Sequence, residues 1–419
     1  MAPRLWVGPT NSKQSAVGRL ITLFKLGRPA WTPRQYDKLA DEAYVRNVVG
    51  YRCVRMIAEA AAGVPWLVYD NGKEQETHPV IDLLEAPNPM QGGPEFWDAY
   101  YSFLQIAGNS YIEAVALGKT QIDEMYVLRP DRMKVLPGPK GWPIGYEYSV
   151  EGRSFVYNMN IGRKDQAPIL HMKLFHPTDD FYGMSPVEAA AFSVDIHNAA
   201  SGFNKALLDN SARPSGALQT DKELSEPQHN RLKSELEENI SGAANAGKPL
   251  LLEGGLKWQN MSLSPSDLDF INGKRDAARD VALGFGVPPQ LLGIPGDNTY
   301  SNYAEAQRAF YRQAVLPLVD RTCGRLSVWL RPTYGKTLKI GYDADNLEAL
   351  APERKELWDR LRFSEDLTVN EKRVAKGYEK TKDPNGDKII IRTNFMLLDD
   401  IDVNGMPPAP AKPAGKSGA

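Results

Sequence analysis

Two long helical segments bracket a short stretch of mixed composition, and this arrangement limits the folds open to the chain. Ser185-Pro186-Val187-Glu188 combines a capping serine, a proline at the first helical position and a glutamate three residues on. It predicts a helix that reaches about Ser211. Ser264-Pro265 opens a second helix that ends at Phe285, a length of about 30 Å at 1.5 Å per residue. The pair predicts a helical stalk that carries a small inserted unit.

The inserted unit, residues 212–264, has the pattern of a compact α/β structure. Ala217 to Gln219 predict a short strand, and a helix follows in which Ser225 is the cap and Gln228 reaches back to it. The run from Leu250 to Met261 predicts a hairpin, because two glycines interrupt an otherwise extended pattern.

Helical and extended patterns alternate before the stalk. Apolar residues at helical spacing predict helices over 41–62 and 94–106. Short apolar runs between Gly, Pro and Asp clusters predict strands over 65–69, 110–117, 124–128, 146–148 and 169–175.

After the stalk, the chain passes through a polar loop and returns to helix. Gly286 to Pro289 end the second stalk helix, and residues 290–302 are rich in Gly, Asn and Asp. Asn302 is placed to cap a helix that runs to Leu330 with a kink at Pro317. The remaining elements are a strand from Thr337 to Tyr342, a helix with Pro352 in its first turn, and a helix opened by the capping box Thr368-Val369-Asn370-Glu371.

Composition excludes several classes of protein. The 419 residues include 50 Lys plus Arg and 52 Asp plus Glu, so the chain lacks the basic balance of a sequence-reading nucleic-acid binder. No stretch approaches ~18 apolar residues, which argues against a membrane-spanning helix. Two cysteines, Cys53 and Cys323, are too few for a disulfide framework or a Cys-built zinc site, and we expect buried free thiols in a reduced compartment.

Motifs for catalysis or metal binding are incomplete. Gly242 to Lys248 fit a phosphate loop, but Pro249 stands where a hydroxyl is needed for magnesium. His171 and His176 are five apart on one predicted strand and therefore on opposite faces. Asp383, Asn385 and Asp387 have the spacing that begins a calcium-binding loop, but the glycine is at the wrong position and no bidentate glutamate completes the loop. We expect a chain that is not an enzyme and holds no cofactor or metal.

The two ends differ from the rest of the chain. Residues 1–36 are basic, with no acidic residue, and predict either an arm that touches a neighbour or nucleic acid, or a disordered leader. Residues 404–419 are rich in Pro, Ala, Gly and Lys and predict a disordered tail.

Several short stretches lie in a fixed order along the chain. They are His171-Met172-Lys173, Asp180 to Pro186, Asn204, Ala212 to Gly216, Gly284 to Pro289, Leu291-Leu292-Gly293, Thr299 to Asn302, Pro317 and Leu367 to Arg373. Each stretch alone is weak, but their order and spacing are specific. From about Asn47 to Ile401 the chain resembles the portal, or head-to-tail connector, proteins of long-tailed bacteriophages.

The resemblance implies an α+β portal fold assembled as a ring, usually of about twelve subunits. It divides the chain into a basic arm (1–36), a first wing part (37–184), a stem helix (185–211), a clip (212–264), a second stem helix (265–287), a tunnel loop (288–302), a kinked helix and wing strand (303–348), a crown (349–403) and a tail (404–419). Closing such a ring needs one face of each subunit to fit a different face of the next.

The resemblance also implies a role and partners. The ring would lie at one capsid vertex of a virion, assembled in the bacterial host cytoplasm, and join head to tail. Double-stranded DNA would enter through it, driven by the terminase large subunit, and leave through it at infection, without sequence-specific contacts. The further partners implied are a head-tail adaptor and the major capsid or scaffold protein, with no membrane contact.

Three groups of residues are the candidate site. For the tunnel loop they are Asp297, Asn298, Thr299, Tyr300, Ser301 and Asn302. For the stem they are Lys274, Arg275 and Arg279, which alternate with Asp269, Asp276 and Asp280 in a near-neutral pattern. For partner contact by the clip they are Arg231, Lys233, Glu235, Glu237 and Glu238. An ordinary solvated surface explains the stem and clip patterns equally simply.

Two rival functions remain open at this point. Another head-tail adaptor or capsid component would share the residues that begin and end the helices but would form no central channel. A metal-dependent nuclease would need a cluster of carboxylates, which the sequence does not present.

Overall fold

The computed structural model describes residues 35–116, 121–138, 142–159, 167–209, 216–219, 225–228, 230–231, 234, 257–260, 270–294, 300–364 and 366–389. Helices and short strands are mixed along this part of the chain, which confirms the α+β class. No helix among these residues is long and apolar enough to cross a membrane.

The helices are interrupted by turns of tighter or wider winding. The first helix, Tyr36–Ala40, continues into a π-helical turn, Asp41–Val45, and a second such turn, Tyr311–Val315, joins the helices Tyr300–Phe310 and Leu316–Tyr334. The helices are α1 (Tyr36–Ala40), α2 (Val48–Ala62), α3 (Pro79–Glu85), α4 (Gly93–Ala107), α5 (Pro186–Ala189), α6 (Ala191–Asp209), α7 (Phe270–Phe285), α8 (Tyr300–Phe310), α9 (Leu316–Tyr334), α10 (Ala351–Phe363) and α11 (Val369–Ala375).

The strands are short and pair in antiparallel fashion. They are β1 (Trp66–Asp70), β2 (Lys73–Glu74), β3 (Asn109–Val115), β4 (Glu124–Leu128), β5 (Met133–Pro137), β6 (Pro143–Val150), β7 (Arg153–Asn158), β8 (Ile169–Lys173), β9 (Gly216–Gln219), β10 (Lys257–Asn260) and β11 (Lys339–Tyr342). The described strands form sheets in the orders β11-β1-β2, β4-β3-β8, β5-β6-β7 and β10-β9.

The main core lies where α2, α4 and α9 pack together beneath the sheet of β1 and β11. Val68 of β1 is opposite Ile340 of β11, so two stretches far apart in sequence share one layer. Trp97 of α4 is buried and its indole N–H donates to the carbonyl of Leu84 at 3.0 Å. Because such burial removes large aromatic surfaces from water, this layer provides much of the stabilisation of the fold.

Both cysteines lie in this core, as predicted. Cys53 of α2 and Cys323 of α9 are free and buried. Desolvation by burial raises the pKa of each thiol to about 12. The thiols therefore stay protonated and act as small apolar groups.

The helix starts that were predicted from capping residues at Ser185 and Thr368 are confirmed. The Ser185 hydroxyl accepts from the backbone N–H of Glu188 at 3.0 Å. At Thr368 the box is reciprocal: its hydroxyl accepts from the N–H of Glu371 at 3.1 Å, and the Glu371 carboxylate accepts from the N–H of Thr368 at 2.8 Å. Strand β4 has the predicted bounds, and α4 exceeds its predicted range by one residue at each end.

Other predictions were wrong for identifiable reasons. The helix predicted over 41–62 is broken, because Asn47 adopts an extended backbone and caps α2 instead of continuing the first segment. Asn302 is not a cap, since α8 begins at Tyr300. The residues 300–302 of the predicted tunnel loop are therefore helical. His176 does not share a strand with His171, because β8 ends at Lys173.

Three strands, β2, β5 and β7, were not predicted. β5 and β7 flank β6, and β7 joins β6 through Glu151 and Gly152, both with positive φ. Every residue of β7 except Tyr157 is exposed, so the alternation of apolar and polar residues that marks a half-buried strand is missing. In the inserted unit, β10 pairs with β9, with Trp258 opposite Leu218. The first strand of the predicted hairpin lies outside the described residues.

Pro317 lies where a kink was predicted, and the change of winding precedes it. The π-helical turn Tyr311–Val315 ends one residue before α9 begins, and Pro317 occupies the first turn of α9. Proline has no N–H to offer the preceding turn, so the backbone there is free to adopt wider winding.

Asn47 joins the start of α2 to α6. Its side-chain oxygen accepts from the N–H groups of Val49 and Gly50, both at 3.0 Å. Its amide nitrogen contacts His197 Nδ1 at 3.1 Å and donates to Asn198 Oδ1 at 2.9 Å. An amide has two donors and two acceptor positions, so this buried side chain is fully satisfied.

Asn47→Ala should lower the free energy of unfolding by about 2–4 kcal/mol, because it removes a cap and leaves buried partners on α6 unpaired. Thr368→Ala is the matched control, since it removes only a cap and should cost about 1 kcal/mol. Urea unfolding followed by circular dichroism measures both. Equal losses in the two variants would contradict a bridging role for Asn47.

His171 is a buried polar residue between β3, β6 and α9. Its Nε2 lies 3.0 Å from Asn109 Oδ1, and its Nδ1 lies 3.3 Å from the Tyr146 hydroxyl. Asn109 Nδ2 donates to the Ala107 carbonyl at 2.8 Å, which fixes Oδ1 as the acceptor. The imidazole is thus neutral with its proton on Nε2. Desolvation, aided by the charges of Lys173 and Arg325, lowers its pKa to about 3.

This pKa predicts a pH dependence of stability. Below about pH 6.5 the unfolded chain protonates His171 while the folded chain does not, so stability falls as the pH decreases toward 3. The slope is about 1.4 kcal/mol per pH unit. Urea unfolding between pH 7 and 5 should therefore show a steeper loss for the wild type than for His171→Phe. Tyr146→Phe keeps the imidazole and should keep the wild-type slope; parallel curves for the wild type and His171→Phe would refute this.

Candidate channel-lining and partner-contact site

Helices α6 and α7 pack side by side in opposite directions. A Cβ placed on Gly284 would lie 3.0 Å from the Cβ of Ala190, just before the start of α6. The Ser193 hydroxyl donates to Asp280 Oδ2 at 3.5 Å, and further along the charge of Lys274 acts on His197. Residue numbers rise on α6 as they fall on α7, so the two predicted stalk helices are antiparallel neighbours.

The three candidate cations of α7 do not share one face. Arg275 and Arg279 are four residues apart, about 40° around the helix, and both are exposed. Lys274 is about 140° from Arg279 and is half-buried. Burial, followed by the charge of Lys274, lowers the pKa of His197 on α6. The structure therefore brings Arg275 and Arg279 together and directs Lys274 toward α6.

The outward face of α7 is mixed in charge. Arg279 pairs with Asp276 at 3.3 Å, and Asp280 and Arg275 are also exposed on this helix. An exposed pair of this kind adds little stability. Its effect is to hold the net charge of the face near zero.

The tunnel-loop residues fall only partly within the described chain. Tyr300 and Ser301 are the first residues of α8, and Asn302 is an exposed residue on the same helix. Asp297, Asn298 and Thr299 lie outside the described residues. Before them, Pro289–Leu292 form a 3-10 turn closed by Gly293 with a φ of 69°.

The clip residues are also described only in part. Residues 226–228 are helical, and the N–H of Ser225 donates to Gln228 Oε1 at 3.1 Å, so the predicted reach-back of Gln228 is confirmed. Arg231 is helical and exposed. Lys233, Glu235, Glu237 and Glu238 lie outside the described residues, and their role stays a prediction.

Sequence reasoning missed an exposed apolar stripe on α6. Phe192, Ile196, Ala199 and Phe203 are all exposed, although the opposite side of the same helix is buried. Their spacing of four, three and four residues was the available signal. It was hidden because Val194 and Ala200 form a second apolar stripe that satisfies the ordinary amphipathic pattern.

No candidate metal centre occurs in the part of the chain that the structure describes. Groups of three or more His, Cys, Asp or Glu residues that could hold an ion are not found there. The buried histidines His171 and His197 instead hydrogen-bond to asparagine side chains.

Similar proteins point to one family. The sequence profile described as phage portal protein matches residues 49–377. An uncharacterized protein of Rickettsia bellii is 40% identical over 353 residues, which cover 83% of this chain and 90% of the relative.

Two similar solved structures come from the neck of gene transfer agent (GTA) particles. The neck of an empty particle, computed with C6 symmetry, holds a chain with 49% identity and a TM-score of 0.68. The neck of the native particle, computed with C12 symmetry, gives 48% and 0.66. Each match covers 85% of this chain and 96% of the solved one. The family profile spans most of the chain, and the fold agrees with these necks; the chain therefore belongs to the phage portal protein family.

Proposed function

We propose that this chain is the subunit of a ring-shaped portal, of about twelve copies, that joins the head to the tail of a phage-like or gene-transfer-agent-like particle. The observation that carries the proposal is the match to the particle neck computed with C12 symmetry, at 48% identity over 96% of that chain. The family describes structural portal proteins, and the proposed role is likewise structural rather than catalytic.

The channel of this ring is the proposed path of double-stranded DNA, which terminase packs and which leaves at infection. DNA presents about one negative charge per 1.7 Å, and each phosphate contact strengthens binding in a salt-dependent way. A conduit needs weak contacts so that DNA slides. The mixed charges on the outward face of α7 suit that need, and we assign Arg275 and Arg279 to the lumen.

The packing supports a wing assembled from two separate stretches, 37–184 and 303–348. Strand β11 lies beside β1, and the α9 residue Arg325 donates to the carbonyl of His171 on β8 at 2.8 Å. The stem is then α6 with α7, the clip is the unit between them, and the crown is the segment from 349 to 403. In this arrangement the tunnel loop of residues 288–299 connects the stem to α8.

Terminase, a head-tail adaptor and the capsid or scaffold protein are the proposed partners. The clip, with Glu235, Glu237 and Glu238, is the proposed contact for a basic surface of terminase or adaptor. Retention of terminase on immobilised rings checks this contact.

The purified protein should form closed rings of about twelve subunits around an open channel. Native mass spectrometry gives the subunit count, and negative-stain microscopy shows the channel. A monomer in both measurements would count against the proposal. Metal-dependent cleavage of DNA would favour the nuclease alternative, and a solid oligomer without a hole would favour an adaptor or capsid component.

Arg275→Glu with Arg279→Glu should leave the ring count unchanged and reduce the fraction of DNA-filled particles by more than tenfold. The reason is that every subunit would then present acidic side chains to a polyanion in a confined space. Counting filled and empty heads by cryo-electron microscopy measures the effect. Arg153→Glu, on the exposed strand β7, is the matched charge control and should fill normally. Normal filling of particles that carry the double variant would show that α7 does not line the channel.

A further inference from the structure

A cavity of about 500 Å³ lies between the start of β6, strand β8 and helix α9. This volume is within the range of small-molecule binding sites in proteins. None of the channel or clip residues proposed above belongs to its described lining. The cavity is therefore a separate feature of the subunit, and the chemistry of its lining indicates what it binds.

The described lining of the cavity carries more positive than negative charge. Lys173 of β8 and Arg321 and Arg325 of α9 are cationic, whereas Asp180 supplies a single carboxylate. Backbone carbonyls hold two of the cations: Lys173 Nζ donates to the carbonyl of Asp180, and Arg325 Nη2 donates to that of His171 at 2.8 Å. A neutral carbonyl orients a cation and leaves its charge in place.

The two arginines form the centre of this positive lining. Arg321 and Arg325 are four residues apart on α9 and therefore lie on one face of the helix, where like charges repel each other. Neither arginine forms an ion pair with a carboxylate of the described chain. An arginine pair of this kind is suited to hold the oxygens of one anion, because each guanidinium presents a planar fork of N–H donors.

The positive charge acts on the buried wall of the cavity. Desolvation, followed by the charges of Lys173 and Arg325, lowers the pKa of His171 to about 3. Burial raises the pKa of Tyr146 to about 12, and the charge of Arg325 opposes that rise. His171 is therefore neutral at physiological pH, and the positive field comes from side chains that stay charged there.

Two aromatic rings complete the lining. Trp142 lies directly before β6 and is 73% exposed, and Phe181 is half-buried. Rings of this kind are platforms on which a planar base stacks, whatever the identity of the base. A nucleotide joins an anionic phosphate to a planar base, so the cavity offers a contact to each of its two parts.

We propose that this cavity binds a nucleotide, with the phosphate between Arg321 and Arg325 and the base against Trp142 and Phe181. The site goes beyond the proposed portal role and does not depend on the ring. Two sources offer this chemistry: a free nucleoside monophosphate, and the phosphorylated end of a single DNA strand.

Calorimetric titration of the purified full-length protein tests the proposal, with deoxyadenosine monophosphate as the probe. We expect one molecule to bind per chain. Deoxyadenosine, inorganic phosphate and succinate should each bind at least about tenfold more weakly, because each lacks the phosphate, the base or both.

Three variants assign the contacts. Arg321→Gln should weaken binding of the probe by about tenfold or more, and it breaks no hydrogen bond or ion pair of the described chain. Trp142→Ala should weaken binding of the probe and leave the weak binding of inorganic phosphate unchanged. Arg153→Gln, at an exposed arginine of β7 outside the cavity, is the matched control and should bind as the wild type does. Circular dichroism checks that all three variants are folded.

The outcomes decide the inference without touching the portal assignment, which depends on the subunit count. Absence of binding, or wild-type binding by Arg321→Gln, overturns it. Succinate bound as tightly as the probe indicates a site for any anion, such as an acidic side chain of another protein, and also overturns it. A short oligodeoxyadenylate with a terminal phosphate distinguishes the two sources: competition with the probe supports a DNA end, and lack of competition supports a free nucleotide.

Discussion

The hydrogen bonds of the Asn47 side-chain amide are the interaction on which the arrangement of α2 and α6 depends. The amide uses all four of its hydrogen-bonding positions, two to start α2 and two to hold α6. Each hydrogen-bond partner that a buried amide lacks destabilises the folded state. Only one orientation of α6 relative to α2 therefore supplies all the partners of this amide. The direction of α6 is thereby fixed by polar contacts, whereas apolar packing alone would tolerate small rotations of this helix.

A second group of polar contacts ties β8 to α9. His171 links Asn109 and Tyr146 by its ring and receives Arg325 of α9 on its carbonyl. Asn109 Oδ1 also accepts from the N–H of Gly183 at 2.8 Å, shortly before α5. The chain therefore enters α5 from a point held by buried hydrogen bonds.

Sequence patterns predicted those elements whose ends depend on local chemistry. Ser185 and Thr368 marked the starts of their helices because a hydroxyl at the cap satisfies a free N–H group whatever the tertiary context, and at Thr368 the carboxylate of Glu371 satisfies a second one. The break at Asn47 was missed because the apolar spacing continues across it, and only the contact with α6 reveals the cap. β7 was missed because its stability comes from pairing with β6 rather than from a buried face. Of the site, Arg275 and Arg279 were correctly placed on a helix, but the direction of Lys274 toward α6 follows only from the packing of α6 on α7.

The antiparallel packing of α6 on α7 has an electrostatic consequence. The peptide dipoles of a helix leave about half a positive charge at its N-terminus and half a negative charge at its C-terminus. At the Ala190–Gly284 contact the N-terminus of α6 lies beside the C-terminus of α7, so these partial charges largely cancel. At this end of the helix pair the backbone therefore adds little field. In the proposed ring, side chains set the potential there, and a small number of substitutions on α7 can change its sign.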